Sequence, residues 1–374
     1  MVRFCGVNDL VLFHNHVWRD QLRRDLYSFK RHYESVHGWL GSAICVFGIV
    51  TNVIHVLVLS GKSMRVNPVN CLLAAVAFCD LGVMLSYLIY LVYFVLLWGD
   101  CSVGYSYVWV IFAQVHVFVS IYLHSTSLWL VVVLAFVRTM VLRQTSMATE
   151  WHRTARSAKL GAVAFVTIFL LTLPNIWLQS VEQNQAAEGA CKAEDFSERN
   201  HTVSYYYIGL SQYALHSGCL MLKLDLLIVG LVFKMIPCMF LATLSTMLVI
   251  KLQQRLHTSH NLNQNQNYNR RKKRQSDRTT VILVAIVVVF LVTEVPQSVL
   301  AVASALFTQD IYFYIYSSIA DLMDLLALIN SSVNFILYLC MSSAYRQAFV
   351  RDILPNRCLL EREPFIDYFI QLEA

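Results

Sequence analysis

Charged side chains are scarce in this sequence: Asp, Glu, Lys and Arg make up 14% of its 374 residues, against about a quarter in ordinary soluble domains. With 57% hydrophobic residues and a mean hydropathy of +0.55, that scarcity excludes a string of water-soluble domains and leaves lipid as the solvent. The motifs of catalysis are missing too. Ten cysteines form no CxxC pair and no Cys/His cluster, which removes zinc and thioredoxin-like chemistry. No phosphate-cradling glycine loop, nucleophile elbow or HExxH site occurs. No enzyme activity, cofactor or metal is therefore expected. His14-Asn15-His16 spells the letters of a nuclease motif, but no further metal ligands or basic nucleic-acid face accompany it, so no nucleic acid is expected as a partner. Internal repeats of the kind many transporters carry are also lacking.

What is present is a succession of apolar runs. Seven stretches, about 39–60, 70–97, 107–142, 158–178, 224–250, 279–306 and 313–340, can each cross roughly 30 Å of hydrocarbon as a helix rising about 1.5 Å per residue. The expected fold is an all-α membrane protein, a seven-transmembrane helix bundle at 39–342, preceded by a tail at 1–38 and followed by a C-terminal segment at 343–374. The first 38 residues lack the basic start, apolar middle and cleavage site of a signal peptide, so the first span is expected to act as the targeting signal. Lys and Arg set the orientation. Lys62 and Arg65 at 61–69, Arg143, Arg153 and Arg156 at 143–157, and eight at 251–278 place those connections in the cytoplasm, although the first 38 residues hold six of their own. The N-terminus is then extracellular and the C-terminus cytoplasmic, in the plasma membrane. Residues 257–278, with RRKKR at 270–274, cannot build a core and read as a mobile cytoplasmic loop touching anionic lipid or a cytoplasmic partner.

Cys5, Cys101, Cys191 and Cys219 fall on the exterior side. Cys101 and Cys191 are the best placed for a disulfide tying the long exterior loop to the bundle mouth. The sequon Asn200-His201-Thr202 lies in that loop, where a glycosylation acceptor belongs.

Ionisable groups inside a membrane helix cost about 2.5–3.5 kcal/mol at its centre and survive where they face a wet or paired interior. The runs hold Asp80, Arg138, Lys234, Glu294, Asp321 and Asp324. Rise per residue puts Lys234 roughly 12–15 Å, Glu294 roughly 18 Å and the two aspartates roughly 12–17 Å below the exterior face. All four share one level. Asp321 and Asp324, three residues apart, lie on one side of their helix. Lys234 precedes Pro237 and Glu294 precedes Pro296, so both stand beside expected kinks, with Gln297 next in line. These groups describe an exterior-facing cavity of three carboxylates and one ammonium. Either Lys234 and Glu294 pair with each other or they meet a ligand, and in both cases Asp321 and Asp324 call for a cation, for which guanidinium is the natural partner. Asp80, with Asn52, Asn330 and Asn334 as plausible neighbours, forms a second polar group able to hold water or sodium, or simply to cross-link helices. Arg138 stands near the cytoplasmic end, where it can bridge helices.

Asn52, LAAVAFCD ending at Asp80, Arg138, Pro237, Pro296 and Asn334 to Tyr338 follow the order and spacing of helix landmarks in the rhodopsin-like G-protein-coupled receptors, which the chain resembles from about 39 to 349. SSAYRQAF at 342–349 resembles that family's short amphipathic eighth helix. Cys358 beyond it is a palmitoylation candidate or a free thiol. The departures matter: Val137 stands where the family has an acid before the arginine, Phe335 where it has the proline of NPxxY, and TEVP at 293–296 where it commonly has CWxP. TEVPQ at 293–297, HSTSLWL at 124–130, LPNIWL at 173–178, VFKMIPC at 232–238 and NSSVNFILY at 330–338 are similar to the nematode serpentine receptor class W and the related myosuppressin-receptor-like group. The resemblance implies an extracellular amidated peptide ending in Arg-Phe, of the FMRFamide or myosuppressin type, as ligand. It also implies a heterotrimeric G protein as partner, coupled through Arg138, Tyr338, Pro296 and Pro237. A chemosensory receptor for environmental compounds shares the fold, and an ion-coupled transporter would use the same buried carboxylates.

Overall fold

In hydrocarbon every backbone N–H and C=O needs a partner within its own segment, so each apolar run folds as a helix. The computed structural model describes residues 12–13, 16–62, 64–98, 104–141, 154–187, 202–262, 287–341 and 343–353. Helix α1 is His16–Ser60. Helix α2 is Pro68–Tyr90, opened by an Asn67 side chain that accepts from the Val69 amide and by Pro68 in its first turn, and continued by π-helical turns at Leu91–Leu97. Helix α3 is Tyr107–Val141, and α4 is Thr154–Thr172 with one further turn at Asn175–Leu178. Helix α5 runs as Gln212–Leu227, a π-helical stretch Ile228–Met235, and Ile236–Leu262. Helix α6 is Val287–Leu306. Helix α7 starts as π-helix at Thr308–Tyr316 and continues at Ser317–Met341, and α8 is Ser343–Ile353. Seven of these helices are long and apolar enough to cross a membrane.

Three features depart from the expected layout. Helix α1 begins at His16, so much of the expected tail is helical. Its half-buried positions Arg19, Leu22, Leu26, Lys30 and Tyr33 recur every three or four residues, the spacing of one helix face. That extension docks on the outer turns of α7: Lys30 Nζ donates to the Ser317 carbonyl at 3.2 Å, and the Arg23 guanidinium lies 5.2 Å from the Tyr314 ring centre. Next, α5 reaches Leu262, so the first part of the expected 257–278 loop is helix. Finally, the connection from α4 to α5 is an antiparallel hairpin of β1 (Gln179–Ala187) and β2 (Thr202–Leu210), in register from Gln179 opposite Leu210 to Ala187 opposite Thr202. Tyr105 joins it through paired backbone hydrogen bonds with Tyr206, each 2.8 Å. Gly104 makes that approach possible: its φ is +127°, and a Cβ there would sit 2.7 Å from the Tyr206 carbonyl oxygen.

The hairpin marks one end of the bundle and α8 the other. At the α8 end the core joins Val58, Leu72, Val76, Leu130, Tyr338 and Tyr345. Tyr345, fully buried, inserts α8 into that core, which fixes the expected eighth helix against α1 and α7.

Candidate functional site

Glu294 of α6 is fully buried, and side chains from three other helices converge on it. Lys234 Nζ of α5 donates to Glu294 Oε2 at 2.9 Å and to Gln297 Oε1 at 2.5 Å. Asn330 Nδ2 of α7 donates to Glu294 Oε1 at 3.1 Å, and His124 Nε2 of α3 lies 3.2 Å from the same oxygen. Gln297 in turn donates to the Thr293 carbonyl at 2.9 Å. The local fold of α5 makes room for this. Pro237 has no N–H to give, and the turns before it widen to π-helix. Widening frees carbonyls, and neighbours answer them: Ser298 Oγ of α6 donates to Gly230 O at 2.9 Å and Trp129 Nε1 of α3 to Val232 O at 3.1 Å. Gly230 lets α6 come close, since a Cβ there would lie 2.9 Å from Val302 Cγ2. The lysine and the glutamate therefore neutralise each other in this state.

Asp321 and Asp324 stand elsewhere. Tyr87 of α2 donates its hydroxyl to Asp324 Oδ2 at 3.0 Å, and that hydroxyl is 3.1 Å from His37 Nε2 of α1. Because the tyrosine gives its proton to the carboxylate, His37 Nε2 supplies the other one. The ring of His116 packs 5.5 Å from Tyr87 and stacks on Tyr90 at 5.1 Å. Asp321, half-buried on the same side of α7, has no hydrogen-bond or ion-pair partner among the described residues. The single cavity of three carboxylates and one ammonium is thus corrected to two clusters. One joins α3, α5, α6 and α7 around a closed ion pair, and the other joins α1, α2 and α7 around two carboxylates that form no ion pair among the described residues.

The group around Asp80 also needs correction. Asp80 accepts from Ser127 Oγ at 2.9 Å and Asn334 Nδ2 at 3.0 Å. Asn52 instead donates to the Gly48 and Ser331 carbonyls at 2.9 and 3.2 Å, and Asn330 turns to Glu294. Asp80, Ser127, Phe290, Asn330, Asn334 and Leu337 border a cavity of about 20 Å³, room for one water.

At the α8 end Arg138 Nη2 donates to the Tyr338 hydroxyl, and its guanidinium lies 5.7 Å from that ring centre. Val137 is fully buried in the core instead of offering an acid. Phe335 packs edge-on against His55 and Tyr345, and His55 Nδ1 shares a hydrogen bond with the Tyr345 hydroxyl at 2.9 Å. Burial pushes the Tyr345 phenol above its usual range. Pro237 is buried in α5, while Pro296 lies on the exposed face of α6.

Sequence reasoning missed His124, Ser127 and Tyr87, although His124 and Ser127 both lie in HSTSLWL. It also missed Asp225 within the fifth span, which accepts from Asn175 Nδ2 of LPNIWL at 3.2 Å. Counting every ionisable residue in the spans would have found His124 and Asp225. Cys5, Cys101, Cys191, Asn200, Cys358 and RRKKR lie outside the described residues. Cys219 is disulfide-bonded, and Cys45, Cys71, Cys79, Cys238 and Cys340 are free.

Seven lipid-length helices knit by buried polar contacts, with an arginine held by a tyrosine at the end where α8 folds back, define a G-protein-coupled receptor and not an enzyme. Residues 40–354 match the family described as serpentine type 7TM GPCR chemoreceptor Srw, and the chain belongs to that family. It is 32% identical over 368 residues to the G-protein coupled receptor dmsr-1 of Caenorhabditis elegans, covering 89% of this chain and 71% of that protein. It is 24% identical over 352 residues to the sex peptide receptor of Drosophila melanogaster, covering 90% and 76%.

Proposed function

We propose that this receptor answers an extracellular amidated peptide of the FMRFamide or myosuppressin type and passes the signal to a heterotrimeric G protein. In this reading the hairpin end faces outward, α8 lies at the cytoplasmic face, and the plasma membrane is crossed seven times. One observation carries the ligand assignment: Asp321 and Asp324 share a face of α7 and form no ion pair among the described residues, while Lys234 bonds directly to Glu294. The arginine of a peptide ending in Arg-Phe amide supplies two parallel hydrogen bonds and the missing charge. The aromatic residue beside it meets the rings of Tyr87, Tyr90 and His116. The similar Drosophila protein is by name a receptor for a peptide, which supports the class of ligand.

Binding favours the active state only by the difference in its contacts between states. Lys234, Glu294 and Gln297 tie α5 to α6 on either side of Pro237 and Pro296, so a ligand that disturbs this knot swings α6 about its proline. Release of Arg138 from Tyr338 then opens the inner face to the G protein. Asp80 with Asn334, and the water or sodium ion beside them, hold α2 and α7 in the resting arrangement.

A second reading, a chemoreceptor for environmental compounds, follows from the description of the matched family. Expressing the chain with a G-protein reporter and screening amidated Arg-Phe peptides separates the two. A response lost in both Asp321→Asn and Asp324→Asn supports the peptide reading. Silence to the peptides with a response to small odorants would replace it.

A further inference from the structure

Asp310, in the outer π-helical turns of α7, plays no part in either cluster. It is 2% exposed, and its Oδ2 accepts two successive backbone N–H groups, from Leu12 at 2.8 Å and Phe13 at 3.2 Å. The donors come from almost 300 residues earlier in the chain. Phe13 is fixed from the other side by an edge-on contact with Trp18 at 4.9 Å. Successive N–H groups of an extended strand point to opposite sides, so two of them reach one oxygen only where the backbone bends, as it does at Leu12; the contact reads that main-chain shape and does not select side chains. If the tail left with nothing in its place, a buried carboxylate would lose its donors, which is costly. The tail therefore gives way most readily to another chain that brings N–H groups of its own.

We propose that Asp310 is a main-chain-reading subsite at the mouth of the bundle, filled in the resting receptor by its own Leu12–Phe13, and that the incoming peptide takes over this contact and displaces the tail. The proposal rests on the peptide-receptor reading and adds a second point of attachment to it. The geometry fits a short peptide: Asp310 and Asp321 are separated by eleven residues of helix, about 15 Å, which an extended chain spans with about five residues. A peptide whose Arg-Phe end lies at Asp321 thus brings its more N-terminal amides to Asp310.

Two substitutions in the full-length receptor act in opposite directions. Leu12→Pro removes the nearer N–H donor and leaves Asp310 intact, so the subsite is freed. Asp310→Asn weakens the subsite for tail and ligand alike. Hydrogen exchange of the tail amides is expected to rise in both. The potency of an activating amidated peptide of six or more residues is expected to rise about threefold or more in Leu12→Pro and to fall about tenfold in Asp310→Asn. An amidated Arg-Phe dipeptide, too short to reach, should be indifferent to Asp310→Asn. Potency changing in the same direction in both variants, or not at all, overturns the shared subsite, and unchanged exchange overturns the latch.

A synthetic peptide of residues 8–16 tests the subsite without any agonist. It should bind receptor lacking residues 1–15 and lose that binding in the Asp310→Asn form. Binding that ignores Asp310, or no binding, sinks the proposal whatever the agonist is. Binding without a response to any Arg-Phe peptide would instead remove the peptide assignment and leave the subsite standing.

Discussion

Two groups of acids on the inner side of this bundle are treated in opposite ways. Glu294 has both oxygens answered, by Lys234, His124 and Asn330, with nothing of it exposed. Asp321 is half-buried and has no such partner among the described residues, and Asp324 has a neutral tyrosine hydroxyl. A buried charge that is fully paired belongs to the architecture. A pair of carboxylates with no ion-pair partner among the described residues is what the proposed peptide site requires. The contrast separates residues whose loss should unfold the receptor from residues whose loss should only deafen it.

The largest effect is expected at the closed pair. Glu294→Leu leaves the Lys234 ammonium buried and unpaired, a loss of about 3–5 kcal/mol, and folded receptor should nearly vanish from the membrane. Joining it to Lys234→Met removes both charges, and most of the loss should return. Thermal unfolding of the two single variants and the double in detergent gives the coupling. Simple addition of the single effects would break the view of Glu294 as architecture.

Asp321→Asn and Asp324→Asn form the other half of the comparison. Each should leave thermal stability within about 1 kcal/mol, because Asp321 loses no partner and asparagine still accepts from Tyr87 at position 324. The potency of an Arg-Phe amide should drop at least tenfold in each, as loss of a charge-assisted hydrogen bond implies. Replacing the ligand arginine with citrulline should cost the wild type as much and the variants little. A variant that loses stability and keeps potency would reverse the roles assigned to the two groups.

Much of the fold was legible because the bilayer imposes length. Seven apolar runs became seven helices, and α8 appeared at SSAYRQAF. Azimuth was not. The π-helical stretches at Ile228–Met235 and Thr308–Tyr316 rotate every side chain beyond them relative to a regular helix, and no counting of residues reveals them. Asp324, expected on one level with Lys234, takes its hydrogen bond from Tyr87 instead. Asn330 likewise bonds Glu294 while it still borders the cavity beside Asp80. The extension of α1 was hidden for a different reason. Its residues 16–38 are polar enough to look like a tail, and they form a helix whose inner face lies on α7, a partner some 290 residues away in sequence.

A second contrast sets the inner lock against its counterpart in related receptors. Without an acid at 137, Arg138 is held by Tyr338 through one hydrogen bond and its ring face. Tyr338→Phe keeps the ring and removes the bond, which shifts the resting equilibrium by about 1–1.5 kcal/mol. Basal G-protein signalling in the absence of ligand should rise about fivefold to tenfold. Installing Val137→Asp in the same background should bring it down again if the arginine is the element being held. Unchanged basal activity in Tyr338→Phe would place the lock elsewhere.

The smallest effect sharpens the same contrast. Tyr345 anchors α8 with its whole ring in the core and a single hydroxyl on His55 Nδ1. Tyr345→Phe preserves the packing against Phe335 and Tyr338 and deletes only that hydroxyl. His55 Nε2 already lacks a partner within the buried core, so the ring then has both nitrogens unanswered. The cost is about 1 kcal/mol, seen as a fall of a few degrees in the unfolding midpoint. Arg138 and Tyr338 are untouched by it, so basal signalling should stay at the wild-type level. A rise comparable to that of Tyr338→Phe would show that His55 and Tyr345 hold Tyr338 in place for Arg138, and that α8 is part of the lock and not merely fastened beside it.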